Sequence, residues 1–331
     1  MTSDKKKLKV VIDCDTGVDD AQAVLYALLS PDIDVVGITT VWGNAPVDAT
    51  TANTLSLLEL VGRPDIPVGR GADKPLVGPA FGVATWVHGS DGLGGVNLPP
   101  PTLKPAKETA AELIVKLAHQ YPGELTLLPI GPMTNIGAAL ALDPSIAKLY
   151  KGVVIMGGAF LPQLDRAGGV GPQSAVWGEA NVWHDPEAAQ MMFEAGWHIV
   201  AAGVDVTMKV RLTEEMLNKV RDSGPVGAFI HKITQFYMDI YSKRFGYRAC
   251  AMHDAVTILV AEDPSLITSA PKAKVAVELR GTLTRGLTIV DLRRDEDGSY
   301  EPNTTIILDI DIPRFLDRWM NVICNAKVTH A

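Results

Sequence analysis

The chain has 331 residues, 47% of them hydrophobic, and a formal net charge of −8. That length and composition allow a large buried core, and the acidic balance argues against a nucleic-acid backbone as partner, which would need a basic face. The N-terminus lacks the apolar core of a signal peptide, no run reaches transmembrane length, and no basic amphipathic stretch suggests a membrane surface. The chain then alternates strand and helix signals. Val10 to Ile12, apolar and β-branched, reads as a buried strand ending in Asp13, Cys14 and Asp15. Thr16-Gly17 turns into a helix from Ala21. Ile33 to Thr40 is a second strand, followed by Trp42-Gly43-Asn44, a helix over Val47 to Val61 and a short strand at Ile66 to Val68. The Gly/Pro-rich stretch Arg70 to Pro105 is too long for an ordinary connection and reads as functional or a lid. A helix over Glu108 to Gln120, a strand over Glu124 to Ile130 and the turn Gly131 to Asn135 come next. Val153 to Met156 is a strand, with a second long loop to Asn181. Asp185-Pro186 opens a helix with a good cap and a proline at its first position. His198 to Gly203 is a strand. Helices follow at Glu214 to Arg221, Val226 to Arg244 and, opened by His253-Asp254, Ala255 to Ala261. Strand-like runs at Lys274 to Leu279, Leu287 to Asp291 and Thr304 to Ile310 precede a last helix from Pro313. With no internal repeat and no clear linker, this pattern predicts one α/β domain over residues 1–331, with residues 1–7 a flexible tail.

Four carboxylates, Asp13, Asp15, Asp19 and Asp20, crowd the first strand-to-helix turn. Open α/β sheets place their sites at this carboxyl edge. Crowded acids cost electrostatic energy unless a cation or a buried proton offsets them, and carboxylate oxygens suit Ca²⁺ or Mg²⁺. The plainer alternative gives Asp19 and Asp20 to the helix dipole and leaves Asp13 and Asp15 as surface acids. Cys14, flanked by acids, is expected to be a poor nucleophile; Cys14, Cys250 and Cys324 have no metal-type spacing and fit a reducing compartment. Later strand ends deliver Asn44, Asn135, Met156, Glu179, Asn181, His253 and Asp254. Each has a bland alternative: turn closure for Asn44, local capping for Asn135, a helix cap for Asp254 and a core position for His253. Glu179 and Asn181 alternate about Ala180 and would face one way from an extended segment, or lie on the surface. Asp15, Asp20 and Asp254 together would form a three-carboxylate site for a hard cation, completed by backbone oxygen and water. Such a cation lowers the pKa of bound water, a neighbouring Asp takes the proton, and His253 can protonate a leaving group.

These residues resemble the signature of the Ca²⁺-dependent nucleoside hydrolases of the inosine–uridine type, over nearly the whole chain. The D-x-D-x-G-x-D-D motif stands at Asp13 to Asp20, T-T-V-W-G-N at Thr39 to Asn44, H-G at His88-Gly89 and G-P-M-T-N at Gly131 to Asn135. M-G-G at Met156 to Gly158, E-A-N at Glu179 to Asn181 and H-D at His253-Asp254 complete the ordered set. The resemblance implies an open, mostly parallel Rossmann-like sheet flanked by helices, in a cytoplasmic homodimer or homotetramer engaged in nucleoside salvage or catabolism. It implies hydrolysis of the N-glycosidic bond of ribonucleosides to ribose and free base. Asp15, Asp20, Asp254 and the backbone carbonyl of Ile130 would hold Ca²⁺, and Asp15 would activate the water bound to it. Asp19, Asn44, Met156, Glu179 and Asn181 would hold the ribose, whose 2′- and 3′-hydroxyls complete the metal shell. His253 would assist departure of the base, supported by Tyr241, and Asp13 would orient the turn. Two departures stand out. Gln173 occupies the place of an Asn expected to hold the ribose 5′-hydroxyl, and Ala180 that of a frequent aromatic.

Two other readings compete. Asp13-Cys-Asp15-Thr16 also matches the D-x-D-x-T motif of haloacid dehalogenase-type phosphatases, with Asp13 as nucleophile and Mg²⁺ as cofactor. That reading leaves Asp19-Asp20 and His253-Asp254 unexplained, and no persuasive later Lys and acidic pair is found. A non-catalytic Ca²⁺-dependent nucleoside binder is the third.

Overall fold

The computed structural model describes residues 6–79, 82–161, 178–292 and 301–327. Its strands are β1 (Leu8–Cys14), β2 (Ile33–Thr40), β3 (Val68–Arg70), β4 (Leu125–Pro129), β5 (Gly152–Met156), β6 (Ile199–Ala202), β7 (Arg211–Thr213), β8 (Ala249–Ala251), β9 (Ile267–Ser269), β10 (Lys272–Val277), β11 (Thr288–Asp291), β12 (Thr304–Ile306) and β13 (Asp309–Ile310). Its helices are α1 (Val18–Leu29), α2 (Val47–Val61), α3 (Thr85–His88), α4 (Ala110–Gln120), α5 (Thr134–Leu142), α6 (Ile146–Leu149), α7 (Ala180–His184), α8 (Pro186–Glu194), α9 (Val204–Thr207), α10 (Glu214–Arg221), α11 (Pro225–Phe245), α12 (His253–Glu262) and α13 (Ile312–Cys324).

Strand β1 sets the architecture. Val10, Ile12 and Cys14 enter one hydrophobic layer and Val11 the other, the two-residue alternation of a strand covered on both faces. The main sheet runs β11-β10-β12-β6-β5-β4-β1-β2-β3, and its β12-to-β3 portion is parallel throughout. β10 and β11 are antiparallel additions at one edge. Helices α1, α2, α11, α12 and α13 contribute to one layer, and α4, α5, α6 and α8 to the other. Helix α1 is buried over almost its whole surface, which explains why its sequence is apolar nearly all round.

The order of connections places the site. From β1 the chain moves outward to β2 and β3, then returns to the other side of β1 for β4, β5 and β6. The direction of winding therefore reverses between β1 and β4, the crevice where open α/β sheets bind ligands. Registers align the ends: Cys14 lies opposite Thr40, and Asp13 opposite Pro129.

Most expected elements form, with shifted ends. β3 starts where its predicted strand stops, and the expected run Thr304 to Ile310 divides into β12, in the main sheet, and β13, which pairs with β9. β7 and β8 form a separate antiparallel pair that the periodicity does not reveal. The described part of the Arg70-to-Pro105 stretch is tied down by two carboxylates. Asp91 accepts from the amides of Leu93, Gly95 and Asn97, and Glu59 from those of Thr102 and Leu103. Among the described residues no helix is long and apolar enough to cross a membrane.

Candidate active site

The turn after β1 is held by its own acids. Asp20, at the third position of α1, accepts from the amides of Gly17 (2.9 Å) and Asp15 (3.2 Å), which satisfies donors that a helix start leaves open. The Asn44 amide side chain donates to the same carboxylate at 2.9 Å, and its backbone amide donates to Asp15 Oδ2 at 2.7 Å. Gly17 is required by close approach: a Cβ there would stand 2.5 Å from His88 Nδ1 and 2.7 Å from Asn44 Nδ2. Asp13 is held by a separate set of contacts and does not border the cavity. Its Oδ1 accepts from the Thr39 hydroxyl at 2.5 Å and Asn135 Nδ2 at 2.7 Å. Asn135 also donates to the Thr40 carbonyl and accepts from the Ala72 amide. It therefore ties three chain segments together rather than capping its own turn.

The opposite wall comes from the ends of β4 and β5 and from α7. Glu179 is the N-cap of α7: its carboxylate accepts from the amides of Asn181, Val182 and Gly158 at 2.8–3.1 Å. This corrects the extended segment expected around Ala180, because a capping carboxylate lets the chain turn directly into a helix. Asn181 Nδ2 donates to the Ile130 carbonyl (2.9 Å) and the Met156 carbonyl (3.0 Å), and lies 3.3 Å from the Met156 sulfur.

Helices α11, α12 and α9 close the third side. The Tyr237 hydroxyl donates to Asp19 Oδ2 at 3.1 Å. Tyr241, one helical turn on, places its hydroxyl 2.6 Å from His253 Nε2, and the Thr207 hydroxyl lies 2.7 Å from His253 Nδ1. His88 Nδ1 accepts the Val18 amide at 3.1 Å, which fixes it as a neutral imidazole protonated on Nε2. Burial pushes His88 down to about 3 and His253 to about 4. The walls enclose a cavity of about 270 Å³, at whose border Trp86, Trp183 and His184 also stand.

Electrostatically the site is poised for a cation. Carboxylate oxygens of Asp19, Asp20 and Asp254 lie within 4.8 Å of one another. Burial, and then the neighbouring acids, push the carboxyls of Asp15 and Asp254 well above the usual range and Asp19 up to about 7. Asp15 Oδ1 and Asp19 Oδ1 are buried without a hydrogen-bond partner among the described residues. Buried acceptors of this kind call for a ligand, and an all-oxygen set of clustered carboxylates with a nearby carbonyl suits a hard divalent cation.

Of the predicted site residues, Asp15, Asp19, Asn44, Ile130 and Met156 border the cavity, as do Glu179, Asn181, Tyr241, His253 and Asp254. Asp20 does not border the cavity but belongs to the acidic cluster with Asp19 and Asp254. Gln173 lies outside the described residues. The tight cluster is Asp19, Asp20 and Asp254 rather than the expected set with Asp15, whose carboxyl neighbours it and is pushed up by burial and by Asp20 and Asp19. Asp13 is fully buried behind the turn and does not border the cavity, which removes the geometric basis for a phosphatase nucleophile. Cys14 is buried and its thiol is pushed up by burial and by Asp20, as expected of a poor nucleophile. Sequence reasoning did not assign roles to Tyr237, His88 or Thr207. Tyr237 and Tyr241 stand four apart on α11, a signal that both face one way; Thr207 carries no signal in the sequence.

Comparison with known proteins agrees with this geometry. The family model described as inosine-uridine preferring nucleoside hydrolase matches residues 10–317. A probable uridine nucleosidase 2 of Arabidopsis thaliana is 39% identical, covering 92% of this chain and 94% of that protein. A pyrimidine-specific ribonucleoside hydrolase of Citrobacter koseri is 37% identical, covering 94% and 96%. Among solved structures, a purine-preferring ribonucleoside hydrolase from Gardnerella vaginalis superposes with a TM-score of 0.88 at 33% identity, covering 96% of this chain and 98% of that one. With the acidic turn at the winding reversal, the facing Asn181 wall and a match over nearly the full length, the chain belongs to the inosine-uridine preferring nucleoside hydrolase family and is a nucleoside hydrolase.

Proposed function

We propose that Asp15, Asp20, Asp254 and the Ile130 carbonyl hold Ca²⁺, that Asp15 is the general base, and that Tyr241 and His253 protonate the departing base. The observation that carries this reading is the free, buried Oδ1 of Asp15 in the same cavity as the Tyr241–His253 pair. Calcium, when bound, would orient the ribose 2′- and 3′-hydroxyls and lower the pKa of the attacking water. The Asn44 amide holds Asp15 by Oδ2 and leaves Oδ1 to take a proton from that water. As the C1′–N bond breaks, its electron pair leaves with the base, positive charge grows on the ribose ring, and the water oxygen bonds to C1′ from the opposite face. Asp19, Glu179 and the other acids of the pocket stabilise that charge. Both ring nitrogens of His253 are engaged, so the Tyr241 hydroxyl is the group that presents a proton to the base, with His253 behind it. Asn44, Met156, Glu179 and Asn181 would hold the ribose with Asp19, Gln173 its 5′-hydroxyl, and Asp13 the turn. A cytoplasmic homodimer or homotetramer completes the reading and rests on the family alone.

Sugar release from uridine, cytidine, inosine, adenosine and guanosine, with and without a Ca²⁺ chelator, tests this reading. Release that is lost on chelation, restored by Ca²⁺ and absent for deoxyribosides is expected, with inversion at C1′. Chelator-resistant release, or equal rates on deoxyribosides, would refute the assignment of the acidic cluster.

A further inference from the structure

We infer that Thr207 is a positioning residue for the reaction, acting through His253; this rests on the reading of His253 and Tyr241 as the pair that assists the leaving base. An imidazole bonded on one side only can turn over about its χ2 angle, exchanging nitrogen for carbon at each edge. His253 is bonded on both. The Thr207 hydroxyl lies 2.7 Å from Nδ1 and the Tyr241 hydroxyl 2.6 Å from Nε2, and only one orientation of the ring serves the two contacts together. Thr207 is fully buried, so water does not replace its hydroxyl readily.

The backbone around Thr207 explains how the hydroxyl is held. Helix α9 follows directly from β6, and the Thr207 amide donates to the Gly203 carbonyl at 3.1 Å, so the residue sits on a rigid single turn. The neighbouring Val206 is fully buried, and no other hydrogen bond is made by the Thr207 hydroxyl among the described residues. Its one polar contact among the described residues is with the ring that stands behind Tyr241. The arrangement has the logic of a third group orienting a proton-transfer histidine. Thr207 touches no substrate itself.

The test compares leaving groups. Uridine and inosine lose a base that benefits from a proton, whereas the nitrophenolate of 4-nitrophenyl β-D-ribofuranoside departs without one. Thr207→Val keeps the shape and removes the hydroxyl. Its kcat on nucleosides is expected to fall about tenfold or more, a part of the hundredfold or greater effect typical of general acid catalysis, with KM and the nitrophenyl riboside rate within about twofold. Thr207→Ser should recover most of the nucleoside rate. In a His253→Ala background, adding Thr207→Val should cost nothing further on nucleosides, because the two act as one unit. An equal loss on both substrates, an unchanged nucleoside rate, or additive losses in the double variant would overturn the inference. Thr207→Ala provides the same comparison if the Val variant does not fold. Failure of the unaltered enzyme to release sugar from any ribonucleoside would instead overturn the proposed function.

Discussion

Asp254→Asn should stabilise the metal-free enzyme and abolish its stabilisation by Ca²⁺. Asp254 makes no hydrogen bond to a described residue, so the amide breaks no protein contact. What it removes is repulsion. Two unit charges 4.8 Å apart, the spacing limit of the Asp19–Asp20–Asp254 cluster, repel by about 3 kcal/mol at an effective dielectric constant near 20. Protonation relieves part of this in the metal-free state, so a gain of about 1–3 kcal/mol is expected. With an unfolding entropy of about 2.1 cal/mol/K per residue, the 331-residue chain converts that to a Tm rise of roughly 1.5–4 °C. In the unaltered enzyme, Ca²⁺ at about a hundred times its Kd adds about 2.7 kcal/mol, or roughly 4 °C. Calorimetry with chelator and then with Ca²⁺ reads both effects, and sugar release is measured in parallel. A Tm that falls in chelator, or a Ca²⁺-induced rise that survives the substitution, would refute the assignment of Asp254 to the cation site.

Three further outcomes can be checked. Glu262, at the far end of α12, accepts from Tyr26, Ser30 and Arg318 Nε, joining the ends of α1 and α12 opposite the acidic cluster. Glu262→Ala should lower stability by about 1–3 kcal/mol, since it removes three side-chain bonds while Arg318 keeps Asp32, and should raise the Ca²⁺ midpoint severalfold; unchanged Ca²⁺ binding would show that the clamp does not reach the site. Asp13→Asn retains the acceptor for Thr39 and Asn135, so it should cost about 1 kcal/mol or less and leave measurable sugar release, whereas a reaction with Asp13 as nucleophile would stop. Arg285 binds both oxygens of Glu187 at 2.7 Å and lowers its carboxyl below the usual range. A lowered carboxylate stabilises above its unfolded value and loses that stabilisation as pH falls through its folded value. Arg285→Ala should therefore cost about 0.5–1 kcal/mol more at pH 7 than once Glu187 is protonated, where only the bond to the Leu279 carbonyl is lost, as read from unfolding curves at both pH values.

Much of this architecture is visible in the sequence because its physical causes are local. The V-V-I run of β1, the acids that follow it and the apolar helix α1 each announce themselves by composition and period. The ordered motifs locate the walls of the cavity. What stays hidden depends on partners far along the chain. β7 and β8 are three residues each and pair across 37 intervening positions, 212 to 250 at their centre, so neither carries a usable period. Helix α7 starts because Glu179 folds back on its own amides, a conformation that alternation about Ala180 does not suggest. Asn135 and Thr207 act through contacts to residues distant in sequence, Asp13 and His253 among them, 122 and 46 positions away.

The same distinction separates the acids by task. Asp13 binds Thr39 and Asn135, Asp20 binds the amides of Asp15 and Gly17, and Glu179 binds two amides at the start of α7 and that of Gly158 after β5. Those bonds use their oxygens to hold the backbone, and they also fix where the remaining acids point. Asp15 keeps one free oxygen, Asp19 keeps one, and Asp254 has no hydrogen bond at all among the described residues. Carboxylates left uncompensated in this way destabilise the metal-free fold, and that energy is recovered when a cation binds. On the proposed reading, cation binding is therefore coupled to the ordering of the site: the bonded acids build the turn, and the unbonded ones are left for the cation and the ribose.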